Sequence, residues 1–463
     1  PADLLRGLPF DGLVTFVKGD VSVYLRSTEE WKNLRLDDRI TRGTRIKTGD
    51  ESAAEISFED GVAFLLRPNT SLEIASAQKK SALHRSYKLF LDFGRALSKI
   101  KKITGKDSRF QIHTPVAVAG ARGTEFRVSV DAKAVTRCEV LDGVVNVRGK
   151  KQAFDVKKGE GTLVKKDEPP IKPKKLLSPP RLVDFKPLYQ SMPLEFAFER
   201  IEHAFFYRVM LAKDATFKDV IKEKVIAPEE TLSVVGLDDG TYYLQSRAID
   251  NVGLEGPPSE PHTIKVRINP LPPFIQSPRD GAEYRERAVP FRWFKVQDAV
   301  KYHVQIAEDP EFTVIKEARD NVTDVHYKTG NLEFKPYYFR ARSIALDGYE
   351  GIWSDTLRFK IIPPPPSPPV DAPKMENDNI HIRWRDLGKN VTYHFQMARD
   401  AAFNQIIIDE KLEKSKITIK KPEKAGQYYV RTSAIDSEGY EGDFSLPQIF
   451  EIKNFPMPHW GSF

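Results

Sequence analysis

The sequence predicts an all-β protein: an N-terminal domain of short strands followed by three copies of a smaller β-sandwich. Three observations carry this. The chain has 28 Phe, 16 Tyr and 5 Trp, and aromatic side chains favour strands. Its 33 Pro exceed its 27 Gly, as stiff connectors and tight turns require. One register of residues also recurs three times through the C-terminal part. A length of 463 residues suits about three to five domains at roughly 100–200 residues each. The 40% hydrophobic and 30% charged residues are ordinary globular composition. No apolar run is long enough for a spanning helix. The single cysteine, Cys138, excludes an internal disulfide framework and a cysteine zinc site.

In the N-terminal part, Val14 to Val23 alternates around the turn Lys18-Gly-Asp20. Ala54–Phe58 and Val62–Leu66 flank Glu59-Asp60-Gly61, a hairpin signal, and Val140-Leu141 and Val144–Val147 flank Asp142-Gly143 in the same way. The expected domain is a succession of short strands joined by glycine turns.

The C-terminal part repeats. Tyr207–Phe217 aligns with Tyr302–Phe312 and Tyr393–Phe403, at offsets of 95 and 91 residues. The same offsets carry Phe198 to Trp293 and Trp384, Tyr243 to Tyr338 and Tyr429, and Gly256 to Gly351 and Gly442. Period-two alternation at Phe196/Phe198, Phe291/Trp293 and Ile382/Trp384 predicts strands with one packed face. Units of this length with short strands and regular turns indicate a β-sandwich. Asn269–Pro273 and Pro363–Pro369 read as stiff polyproline spacers. The aromatic tail Phe455–Trp460 is left open between docking on a partner and folding back.

Two families resemble these parts. The run Asp37–Gly49, Ser52–Gly61 and Asn69–Ile74, then Thr114-Pro115 with Arg122-Gly123-Thr124-Glu125-Phe126, then Glu139–Val147, resembles the FecR domain of bacterial envelope proteins. The repeats, through Trp293, Trp384 and the late tyrosines with their glycine turns, are similar to fibronectin type III domains. The first resemblance implies a β-solenoid or β-roll-like domain at 1–170. The second implies sandwiches at 171–268, 269–363 and 364–455, with a tail at 456–463. Together they imply a periplasmic or envelope location after export, with no export signal visible in this chain and no LysM module. They further imply a non-enzymatic scaffold that binds envelope proteins through its FecR-like domain, the sandwiches serving as spacers or docking arms. The alternatives are a ligand-sensing signalling protein of FecR type and a binder of peptidoglycan or another anionic glycan.

Charge narrows the candidate sites. The net charge is +7, yet residues 1–175 hold 34 Lys/Arg against 23 Asp/Glu, while residues 176–463 hold 38 against 42. Nine Lys/Arg lie in Lys79–Lys106, where Lys99, Lys101 and Lys102 are candidates for an anionic partner; a solvated basic strand edge is the plainer reading. Arg122, in its glycine-rich stretch, either completes an anion site with exposed backbone N–H groups or pairs with a carboxylate inside the fold. After the shared glycine the copies diverge, which makes Trp353 and Phe444, expected to be exposed, candidate partner contacts; packing on their own module is the alternative.

Catalytic patterns are missing. There is no nucleophile elbow, no His-Glu-x-x-His and no dinucleotide fingerprint. His303 and His394 occupy equivalent outward positions, and His381 and His394 are weighed as neighbours on adjacent strands without a third ligand. No catalytic, cofactor or metal residue is assigned, and no cofactor is expected. Nucleic acid is disfavoured because no helix-turn-helix, RNP-like motif or finger occurs. Cys138 is expected to be a core thiol.

Overall fold

Arg85–Ile100 is the element around which the N-terminal domain closes. This 16-residue strand belongs to two layers. Its first half pairs with Thr70–Lys79 and, in parallel, with Arg109–His113. Its second half pairs antiparallel with Val62–Leu66 and Glu125–Val130. The strand turns from one layer to the other at Gly94, whose φ is +98° and whose missing Cβ leaves room for the backbone of Asn69 and Thr70. Any side chain there meets both a forbidden conformation and main chain.

The computed structural model describes residues 8–9, 11–26, 29–79, 85–101 and 109–453. Within them, the strands from Leu8–Pro9 to Lys174–Lys175 form a closed barrel. A single core between its layers contains Val14, Ile56, Phe64, Leu89, Phe110, Phe126 and Val145. The all-β expectation holds, but the ladders are not those of a solenoid. Parallel coils would place neighbouring strands in one direction, whereas only one described ladder of this domain is parallel. The turn signals also divide. Asp60-Gly61 closes a hairpin between Ala53–Ser57 and Val62–Leu66. Asp142-Gly143 closes none: Thr136–Asp142 pairs with Glu125–Val130, while Val144–Arg148 pairs with Val118–Ala121 in the other layer. A glycine turn permits either outcome, and the layer receiving the next strand decides.

Each repeat is a sandwich of two sheets. The first joins Leu182–Val183, Leu194–Phe198 and Leu232–Val234 to a five-stranded sheet that includes Phe206–Ala212, Val220–Ile226 and Gly240–Ile249. The second has the same three plus five strands, and the third has three plus four. The lost strand follows from length. Copies one and two insert a short segment that pairs in parallel with the last strand. In copy three, Lys374–Glu376 turns straight into Asn379–Arg383.

The repeated aromatics are core, with one change of residue. Phe198, Trp293 and Trp384 are buried, as are Tyr207, Tyr302 and Tyr393. The hydroxyls of those three tyrosines accept the N–H of Ile201, Val296 and Leu387 at 2.7, 3.0 and 2.8 Å. Of the late tyrosines, however, the buried ones are Tyr242, Tyr337 and Tyr428, while Tyr243, Tyr338 and Tyr429 lie half-exposed on the opposite face. Both positions are Tyr in all three copies, so identity alone did not reveal which one faces inward.

The indole N–H groups of Trp293 and Trp384 are buried without a hydrogen-bond partner. Copy one has Phe198 there. Trp293→Phe therefore removes an unpaired donor along with some packing, and these effects oppose one another. We expect a change within about 1 kcal/mol by urea denaturation; a loss above ~3 kcal/mol would mean that the indole packing dominates.

By contact density the chain forms two units, Pro1–Asn269 and Pro270–Phe463. The first contains the barrel and the first sandwich. The second contains the other two sandwiches, joined by the Arg285 guanidinium, which donates to Asp436 and to the Pro363 carbonyl. No helix among the described residues is long and apolar enough to cross a membrane.

Candidate functional site

In the first unit, a buried ion-pair cluster joins the barrel to the sandwich. Three barrel strands present Arg95, Arg127, Arg137 and Glu139. The facing sheet presents Arg208, Glu223 and Arg247, and its glycine turn presents Glu255. Ladder register makes the requirement clear. Arg127 lies opposite Glu139, a compatible pair. Arg208 lies opposite Arg247, a like-charge pair that needs a shared anion. Glu255 supplies it: Arg208 Nε donates to its carboxylate at 2.6 Å, with Arg127 and Arg247 at 3.6 and 3.7 Å. Glu223 bridges Arg95 and Arg208, each at 2.5 Å.

The backbone is drawn in as well. Arg127 Nη2 donates to the carbonyls of Glu255 and Gly256 at 2.7 and 3.1 Å, and Arg137 Nε to that of Val252 at 2.9 Å. The Glu255 N–H donates to Glu139 at 3.2 Å. Lys18–Asp219, Lys218–Glu55 and Lys174–Asp250 pairs flank the junction. Burial alone would push the Glu255 carboxyl up, but Arg208, Arg127, Arg95 and Arg247 hold it well below the ordinary carboxylate range. Glu223 is lowered for the same reason, burial being outweighed by Arg95 and Arg208. Glu139 goes the other way: burial raises it, Arg127 offsets only part, and Glu255 adds repulsion.

The equivalent face of the other two sandwiches has different companions. Glu255 corresponds to Glu350 and Glu441, and Arg208 to His303 and His394. In copy two, Arg342 pairs with Glu350 and donates to His303 Nδ1, and Arg340 is held by Gln305. The guanidiniums of Arg340 and Arg342 both lie 4.3 Å from the Trp353 ring centre. In copy three, His394 is clamped between Glu441 and Asp409, and Arg431 lies 4.2 Å from the Phe444 ring. The named partners of these side chains all lie within their own sandwich. The first copy's Glu255 side chain is only 8% exposed, while Glu350 and Glu441 are 39% and 32% exposed.

The sequence candidates fare unevenly. Trp353 and Phe444 are half-buried, not exposed, because flanking arginines stack on their rings. Arg122 is exposed beside the turn after Val118–Ala121, and an arginine buried against carboxylates is Arg127. Gly120 is a strand residue facing Gln111 and Asn146 in the ladders. The described residues of the basic run have different surroundings. Arg85 pairs with Asp60 and Arg95 points into the junction, while Lys99 is exposed beside Glu125 and Lys101 is exposed. Lys102 lies outside the described residues, as does the tail from 454 onward. His381 and His394 sit on different sheets of the third sandwich. Among the described residues no three metal-ligating side chains come together. Cys138 is buried, and burial raises its thiol well above the usual range.

The barrel contains a segment that matches a known family. Residues 44–146 match the family model described as FecR protein. The match lies within the barrel, covering part of it, and does not extend to the sandwiches. No curated protein matches the chain. Among solved structures, a candidate anti-sigma factor from Parabacteroides distasonis, at 2.50 Å, aligns at 15% identity with a TM-score of 0.25. A second structure of that description, at 1.65 Å, aligns at 16% identity with a TM-score of 0.24. Each alignment covers 28% of this chain, which spans 59% of the length of those proteins. The FN1-FN3 domains of chicken CNTN1 align at 17% identity over 60% of this chain and all of theirs, with a TM-score of 0.24. The chain thus combines a barrel that contains a FecR-like segment with three β-sandwiches.

Proposed function

We propose that this protein is a non-enzymatic scaffold of the bacterial envelope, in which the FecR-like domain and first sandwich act as one body and the second and third sandwiches receive protein partners. One observation carries the reading. The sheet face that the first sandwich uses against the FecR-like domain recurs in the other two as arginine–aromatic–glutamate clusters whose partners are internal to each sandwich. Arginine and large aromatics are the side chains that anchor protein interfaces, since they give up water over a large area while keeping directed hydrogen bonds. The anionic-glycan alternative draws on the basic run, of which Arg85 and Arg95 are taken up by Asp60 and Glu223.

In-cell crosslinking from the exposed neighbours Ile352 and Asp443, followed by purification and mass spectrometry, tests this. The expected result is one protein recovered in stoichiometric amount through both positions. Trp353→Ala with Phe444→Ala should abolish recovery at a stability cost of roughly 1–2 kcal/mol for the two opened stacks. Recovery of cell-wall fragments alone, or unchanged recovery by the double variant, would sink the reading.

A further inference from the structure

Between the FecR-like domain and the first sandwich lies a cavity of about 280 Å³. Its lining includes Lys18, Arg67, Arg95, Arg208, Lys218 and Lys224, against only two carboxylates, Glu51 and Glu223. Five of the six cations are committed. Lys18 pairs with Asp219, Lys218 with Glu55 and Lys224 with Glu230, and Arg95 and Arg208 share Glu223. Arg67 is the exception. It follows strand Val62–Leu66 and is only 6% exposed. Its main chain is fixed, the N–H donating to Arg95 and the carbonyl accepting from Thr48 and Thr70. Its guanidinium makes no hydrogen bond or ion pair with a described residue. Burial pushes it down to about 10, with Glu223 and Glu255 opposing and Arg95 and Arg208 adding to the fall, so it stays charged at neutral pH.

A largely buried guanidinium without a hydrogen-bonded carboxylate is costly, because the field of Glu223 and Glu255 offsets its desolvation only in part. A planar or tetrahedral oxyanion matches that fork with two parallel hydrogen bonds. The surplus of positive charge around it attracts the same species, and the volume suits a small anion or the terminal group of a larger molecule. We infer that the cavity lined by Arg67 is a binding site for a small oxyanion, a phosphate or a carboxylate, held at the junction of the two domains. This inference does not rest on the docking faces of the second and third sandwiches.

The test uses the full chain, with inorganic phosphate and N-acetylglycine as probes, calorimetric titration, and thermal unfolding at matched ionic strength in chloride. At a hundredfold excess over Kd, either probe should raise the Tm of the first unit by roughly 5 °C. Phosphate alone doing so assigns a free phosphate ligand; N-acetylglycine doing so assigns a terminal carboxylate. Arg67→Met should lose the response while its own Tm without anion stays equal or rises, since an unpaired buried charge is gone. If that variant does not fold, Arg67→Lys decides: it keeps the charge but not the fork, and should bind at least roughly tenfold more weakly. No saturable heat with either probe, or an Arg67 variant responding as the parent does, would overturn the site. The variant arm also removes the general stabilisation that phosphate gives any protein.

Discussion

Glu255→Gln is expected to destabilise the first unit by about 3–5 kcal/mol, the range for removing one partner of a buried ion pair. The substitution keeps shape and removes charge. It leaves Arg127, Arg208 and Arg247 crowded around a neutral amide, and Arg208 directly opposite Arg247 in the ladder with no anion between them. Thermal unfolding should show the first unit melting earlier, and hydrogen exchange should speed up in Phe206–Ala212 and Thr136–Asp142. A loss below about 1 kcal/mol would mean that the cluster contributes no net stability, as some buried pairs do not. The same residue sets an acid limit. Glu255 and Glu223 are lowered in the fold, so their stabilisation is fully present above the unfolded carboxylate value of about 4.3 and is lost as pH falls through their folded values. Glu139 is raised, so it works in reverse, relieving strain as it protonates. Two lowered groups against one raised group give a net loss in acid, which the Glu255→Gln variant should show in weaker form.

Gly256→Ala is the second large effect. A Cβ built there falls on the Leu177 carbonyl oxygen, well inside the 3.0 Å that such atoms keep. The obstacle is main chain on both sides, because Gly256 N–H is itself bonded to the Ala248 carbonyl at 2.8 Å. Relief requires moving the connector that enters the sandwich, and we expect a loss of roughly 2–4 kcal/mol, in the range of overpacking plus backbone shift. Gly351 and Gly442 stand in the same relation to the carbonyls of Pro270 and Pro365, so alanine at either should destabilise its own sandwich similarly. Urea denaturation of the three variants checks this, and a neutral result at all three would refute the steric account.

Much of the fold was legible because the repeats report on each other. Three copies in one register exposed the alternation of Phe196, Phe291 and Ile382, and with it the packed face. What the register could not settle was direction. Consecutive tyrosines such as Tyr337-Tyr338 give the same pattern in either orientation. Asp142-Gly143 looks like Asp60-Gly61 until the next strand joins the other layer. Nor did the site show itself. Arg127 reads as one more charged residue in a strand, and the glycines around Arg122 drew attention away from it. The available signal was the recurrence of Glu255, Glu350 and Glu441, together with Arg208 standing where the other copies have histidine. That difference marks the first copy as special, but only the folded chain shows that the barrel's arginines meet it. Arg67 gave no signal at all, since nothing in a sequence distinguishes a cation without a partner.

The carbonyl seated on each glycine also bears on where one repeat ends and the next begins. Leu177, Pro270 and Pro365 precede the first strand of their sandwiches, yet each closes a contact with the far end of the same module. Anyone excising, transplanting or permuting a module should therefore cut upstream of that carbonyl. A cassette trimmed to the first strand would leave its own closing turn without a lid.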